Sequence, residues 1–130
     1  MESKVLAFLG DAVYELYIRE YLINKNICNV NELQKECIKF VSAERQCYFV
    51  EKMISDNFLS NDEIDVFKRG RNASSHSSKS TDIVTYKKST GLESLIGYLY
   101  LNKNICRINE IMEYIVGVEW KYMVKMYLMN

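Results

Sequence analysis

The sequence predicts an all-α fold, on three observations. Apolar residues recur at spacings of three and four along nearly the whole chain, the period of a helix with one buried face. Alternating β-branched runs never persist. Proline is absent from all 130 residues, where average usage gives roughly six. Since proline breaks the interior of helices and central strands alike, its absence marks a chain that is mostly regular structure.

The first helix is expected from about Ser3 to Asn24, with Leu6, Leu9, Val13, Leu16 and Tyr17 on one stripe. Asparagines 24, 26, 29 and 31 end it and offer a cap for the next. A short helix follows from about Glu32 to Phe40. Ser42 can cap a third, whose stripe is Cys47, Val50 and Ile54. Ser60 with Glu63 forms a capping-box pattern and opens a helix carrying Ile64 and Phe67. The stretch Asn72 to Ser80 is rich in serine and reads as loop, and a mobile basic and serine-rich loop is expected over about 69–81. Helix resumes near Thr81 and carries Leu92, Leu95, Ile96 and Leu99. A last helix starts near Asn109, with Ile111, Ile115, Val118, Tyr122 and Met126 on its stripe.

Length and composition set the class. A chain of 130 residues with 48% hydrophobic content supports one domain with a real core, expected over residues 1–130, and excludes intrinsic disorder. No apolar run approaches the roughly 18 residues of a membrane span. The start, Met-Glu-Ser-Lys, has neither the basic nor the apolar region of a signal peptide, so a cytoplasmic location is expected. Cys28, Cys37, Cys47 and Cys106 include no C-x-x-C pair and lie far from His76, which argues against a zinc site and for small buried apolar residues. Tyr17, Tyr98 and Trp120 fit a core or an interface better than base stacking.

The balanced charge, 17 basic against 17 acidic side chains, hides an asymmetry. Between Lys68 and Lys88 six basic side chains stand against one acid, Asp82. Such a segment on an otherwise acidic body suits a polyanion, because phosphate neutralisation is local; a solvated loop is the plainer alternative.

At two places the sequence gives up helix stability. In Phe8-Leu9-Gly10-Asp11-Ala12-Val13, glycine and aspartate stand together inside an apolar helix, glycine alone costing about 1 kcal/mol against alanine. A Glu15–Arg19 ion pair accounts for part of this segment but not for Gly10. In Thr90-Gly91-Leu92-Glu93-Ser94-Leu95-Ile96-Gly97 an acid again lies between glycines. One reading makes Thr90 and Glu93 a capping box at a helix start. The other lets the small residues Ala7, Gly10, Ser94 and Gly97 bring two helices into close crossing, with Asp11 and Glu93 facing across it. Two carboxylates held so suit a hydrated divalent cation such as Mg²⁺.

The segment from Phe8 to Val13 followed by Glu15 resembles the signature of the ribonuclease III family. Leu92 to Gly97, continuing into Tyr98-Leu99-Tyr100-Leu101, resembles that family's second metal-binding helix. The chain length and Arg69-Gly70-Arg71-Asn72-Ala73 resemble the small bacterial branch without a double-stranded-RNA-binding domain, mini-ribonuclease III. The resemblance implies a helical ribonuclease III domain forming a symmetric homodimer. It also implies Mg²⁺-dependent hydrolysis of double-stranded RNA (Mn²⁺ as a substitute), leaving 5′-phosphate and 3′-hydroxyl ends. Asp11 matches the signature aspartate and Glu93 the metal-bridging glutamate. Ala7 and Thr90 stand where longer members carry acids, as in the small branch; Thr90 and Glu15 are support candidates. Arg69, Arg71, Asn72, Lys79, Lys87 and Lys88 become the expected RNA contacts, and His76 is not required as a base. Maturation of a large-subunit ribosomal RNA precursor, with a ribosomal protein as helper, is the role implied. The alternative is a catalytically silent member acting as an RNA-binding or ribosome-associated module.

Overall fold

The computed structural model describes residues 1–74 and 82–129. Six helices follow in order: α1 Ser3–Asn24, α2 Val30–Val41, α3 Ala43–Ser55, α4 Asn61–Ala73, α5 Ile83–Leu101 and α6 Ile105–Met129. No strand occurs among the described residues, so the fold is all-α. None of these helices is long and apolar enough to cross a membrane.

Helix boundaries follow local chemistry. The side chains of Asn29, Ser42 and Asp82 accept backbone N–H bonds at the starts of α2, α3 and α5, at 2.9 to 3.3 Å. At α4 the capping box is complete, Ser60 Oγ accepting from Glu63 N at 3.1 Å and Glu63 Oε1 from Ser60 N at 2.9 Å. Asn26, Asn57 and Lys103 adopt left-handed φ of 65°, 56° and 59°, two residues past the ends of α1, α3 and α5. Asparagine tolerates that conformation best after glycine, which is why the Asn-rich punctuation works.

Helix α5 is the axis of the molecule and packs against α1, α3, α4 and α6. Leu92, Leu95, Ile96 and Leu99 are buried, and so are Ser89, Gly91, Ser94 and Gly97 on its other sides. A helix buried nearly all round carries no single apolar stripe, as expected for a central element. The Tyr14 hydroxyl donates to the Phe40 carbonyl at 2.7 Å, joining α1 to α2. Arg107 at the start of α6 donates to both Glu63 oxygens at 2.8 and 2.9 Å and to the Phe58 carbonyl at 2.6 Å. Arg45 pairs with the buried Glu119, joining α3 to α6.

Several expectations need correction. Asn72 and Ala73 belong to α4, so the loop starts later than expected, and residues 75–81, with His76 and Lys79, lie outside the described residues. Helix α6 begins at Ile105 rather than near Asn109, because Asn104 caps it, its Oδ1 accepting from Arg107 N at 3.3 Å, and the Arg107 guanidinium ties that turn to Glu63 of α4. Leu16 is exposed; the inward face of α1 runs instead through Leu6, Gly10, Val13, Tyr14 and Ile18. Tyr122 and Met126 are exposed rather than core, although the Tyr122 ring packs against Tyr48 and under the Arg45 guanidinium; Trp120 is exposed and so is not core. Cys37 and Cys47 are buried as expected; Cys28 and Cys106 are not.

Candidate active site

Two glycines bring α1 and α5 into backbone contact. A Cβ on Gly10 would fall 1.7 Å from the Glu93 carbonyl oxygen, and one on Gly97 would fall 2.0 Å from the Leu6 carbonyl oxygen. Nothing larger than hydrogen fits at either place, so the helix propensity given up at Gly10 is spent on this approach. Ser94 fixes the crossing from the α5 side by donating to the Ser3 carbonyl at 2.9 Å. On its far side α5 is held as tightly, since a Cβ on Gly70 would lie 2.3 Å from Ser94 Oγ and one on Gly91 2.7 Å from the Phe67 carbonyl.

The crossing sets Asp11 and Glu93 side by side. Both line one pocket of about 310 Å³, with Ala7 and Thr90 beside them and Lys4, Phe8, Ser74 and Tyr86 completing the wall. Burial pushes the Glu93 carboxyl up to about 9, and a hydrogen bond to Asp11 and the Asp11 charge push it the same way. A hydrogen bond from Gln46 works against this, by favouring the ionised form. Two acids that cannot comfortably ionise together in a concave site are what a bound cation relieves.

Thr90 is no helix cap. It lies inside α5, and its hydroxyl donates to the Tyr86 carbonyl at 3.1 Å, one turn back. The capping-box reading of Thr90 and Glu93 therefore fails, and Glu93 is left available to the pocket. Glu15 forms the surface pair with Arg19 at 3.7 Å and does not line the pocket, although its charge also raises Glu93.

The donor set fits a hard, hydrated cation. Among the described residues no group of three or more His, Cys, Asp and Glu side chains is placed to hold a metal. Mg²⁺ commonly takes one or two carboxylates and keeps several waters, so the Asp11–Glu93 pair matches it and not a fully protein-ligated site.

The basic residues are spread rather than gathered at the pocket. Arg69 and Asn72 are exposed on α4. Arg71 donates to Asn72 Oδ1 at 3.2 Å and lies over the Phe67 ring. Lys87 is half-buried on α5, and Lys88 pairs with Glu51 of α3 at 3.2 Å. Lys4, Tyr86 and Gln46 escaped the reading of the sequence. Lys4, Ala7 and Asp11 share one face of α1, as Tyr86, Thr90 and Glu93 share one face of α5, so helical spacing could have found the first two. Gln46 lies in an apolar stripe and carries no local signal.

The Ribonuclease III domain family matches residues 4–104. The chain is 46% identical to the mini-ribonuclease 3 of Clostridium tetani, over 91% of this chain and 78% of that one. It is 50% identical to the mini-ribonuclease 3 of Acholeplasma laidlawii, over 76% and 79%. A crystal structure of a Fusobacterium nucleatum protein superposes with a TM-score of 0.81 at 33% identity, covering 89% of this chain and 93% of the other. Asp11 and Glu93, brought together by the glycine crossing, lie within the matched segment. The chain belongs to the ribonuclease III family, in its mini-ribonuclease III branch, and is an endoribonuclease.

Proposed function

We propose that this endoribonuclease cuts double-stranded RNA at the Asp11–Glu93 pocket with a divalent cation, Mg²⁺ or in its place Mn²⁺, leaving 5′-phosphate and 3′-hydroxyl ends. The observation that carries the reading is the shared pocket in which burial, and then the neighbouring Asp11, raise the Glu93 carboxyl. The cation, when bound, supplies Lewis acidity toward water and the phosphodiester oxygens. Asp11 and Glu93 hold it, and the glycine crossing fixes their separation. Thr90 and Lys4 line the same pocket. Arg69, Arg71, Asn72, Lys79, Lys87 and Lys88 are the proposed contacts to the RNA backbone, in a mode that reads shape more than sequence.

Residues 1–130 act as one catalytic domain and pair as a symmetric homodimer, so that two pockets meet the two strands. Phe8, 83% exposed beside the pocket, supports this. Trimming of a large-subunit ribosomal RNA precursor in the cytoplasm, assisted by a ribosomal protein, is the biological role that fits such an enzyme.

The test is cleavage of a long RNA duplex in Mg²⁺ and in Mn²⁺. Wild type is expected to cut, while Asp11→Asn and Glu93→Gln each lose at least about 100-fold, the order expected when charge stabilisation at a reacting phosphate is removed. Wild-type protein that binds duplex and leaves it intact in both metals returns the pocket to a binding role.

A further inference from the structure

Gln46 occupies a place on α3 where the neighbouring inward positions are Cys47, Phe49, Val50 and Met53. It is 2% exposed. Its carboxamide carries two donor hydrogens and an acceptor oxygen. Nε2 donates to the Val41 carbonyl at 3.3 Å, and the side chain hydrogen-bonds to Glu93 across the α3–α5 interface. Oε1 is the one buried side-chain polar atom among the described residues without a hydrogen-bond partner. A methionine would fill a similar volume without stranding an acceptor, so packing alone does not explain a carboxamide here. The carboxamide therefore spends its donors on the Val41 carbonyl and on Glu93 and leaves its acceptor unused.

We propose that Gln46 is a positioning residue for the cation-binding pair: its buried carboxamide, anchored to the Val41 carbonyl, holds Glu93 beside Asp11. The proposal rests on the reading of the Asp11–Glu93 pocket as a cation site. A purely structural Gln46, tying α3 to the end of α2 through Val41, would matter for stability and leave cation affinity alone.

The experiment measures Mn²⁺ binding to the intact protein by the electron paramagnetic resonance signal of the remaining free ion. It is run beside the Mg²⁺ dependence of duplex cleavage and the melting temperature. In Gln46→Met the Kd for Mn²⁺ is expected to rise 10- to 100-fold, the usual effect of losing a partner behind a metal ligand. The half-saturating Mg²⁺ rises with it, and KM for RNA at saturating Mg²⁺ stays put. As a measurement independent of any substitution, the side-chain NH₂ resonances of Gln46 in wild-type protein shift on Mg²⁺ addition with the midpoint of Mg²⁺ binding. A folded Gln46→Met with Mn²⁺ Kd within twofold of wild type overturns the proposal, and so do unmoved Gln46 resonances at saturating Mg²⁺. Wild-type protein that neither binds Mn²⁺ nor cuts duplex overturns the pocket reading and this proposal together. Wild type that does both, with Gln46→Met its equal, removes Gln46 alone.

Discussion

Gly10 lies directly against the backbone of Glu93, with room for a hydrogen and no more; a Cβ would sit 1.7 Å from the Glu93 carbonyl oxygen. The obstacle is main chain, which cannot rotate away. Gly10→Ala is therefore expected to destabilise at the upper end of the about 1–3 kcal/mol of core overpacking and to remove cleavage with it, as read by thermal melting and a duplex assay. Gly117, in α6, is the control, since nothing lies within 4 Å of its would-be Cβ. Gly117→Ala is expected to stabilise by about 0.4–1 kcal/mol.

Glu93 makes stability depend on pH in a defined direction. Its folded-state carboxyl titrates near 9 against an ordinary value of 4.5. Between those values the folded chain holds a proton that the unfolded chain has released. Folding stability contributed here is full below the ordinary value and is lost as pH rises toward 9. In the presence of a chelator, wild-type melting temperature is expected to fall more from pH 5 to pH 9 than that of Glu93→Gln. Saturating Mg²⁺ should remove most of the difference, because it gives the ionised pair a partner. Parallel melting curves for the two proteins across that range would contradict the assignment.

The basic residues differ in how much charge they can offer RNA. Arg69 is exposed, whereas Lys88 is engaged by Glu51. Arg69→Ala is expected to weaken duplex binding at all sequences and to lower the salt slope, d log K/d log[salt], by about 1. Lys88→Ala should lower it by less, since breaking the contact with Glu51 offsets the gain. Filter binding between 50 and 200 mM salt separates the two, and an Arg69→Ala slope equal to that of wild type would remove Arg69 from the interface.

Phe8 is large, apolar and almost fully exposed at the rim of the pocket. Phe8→Asp is expected to shift sedimentation equilibrium toward monomer while leaving the melting of the monomer fold within about 0.5 kcal/mol of wild type, as for substitutions that touch no core contact. A wild-type chain already monomeric at micromolar concentration would dismiss the paired arrangement.

What was legible in the sequence is what local chemistry decides. Helix α1 spans Ser3–Asn24 as its periodicity and its asparagines require, and the Ser60–Glu63 box forms because its partners are three residues apart. The close crossing was legible too, since a glycine inside a strong helix asks for a neighbour at short range. What the sequence hid depends on partners distant along the chain. The first turn of α6 is tied to α4 by Arg107 reaching Glu63, 44 residues back. Lys88 looked available until Glu51, 37 residues away, was brought beside it. Leu16 has the right spacing to be buried, yet the rotation of α1 is decided by what Gly10 must meet on α5. Gln46 was hidden most deeply, because only the approach of α3 to Glu93 gives its amide a purpose.

The meeting of α1 and α5 through carbonyl and amide atoms has a consequence for how the enzyme can drift. Side chains elsewhere in the bundle can be exchanged for others of similar bulk, and such repacking tilts helices that touch through leucines and valines. Here no replaceable spacer stands between the two chains at Gly10 and Gly97. The gap across which the acids reach is gauged by the polypeptide itself, so the core can change around it while the spacing of Asp11 and Glu93 stays calibrated.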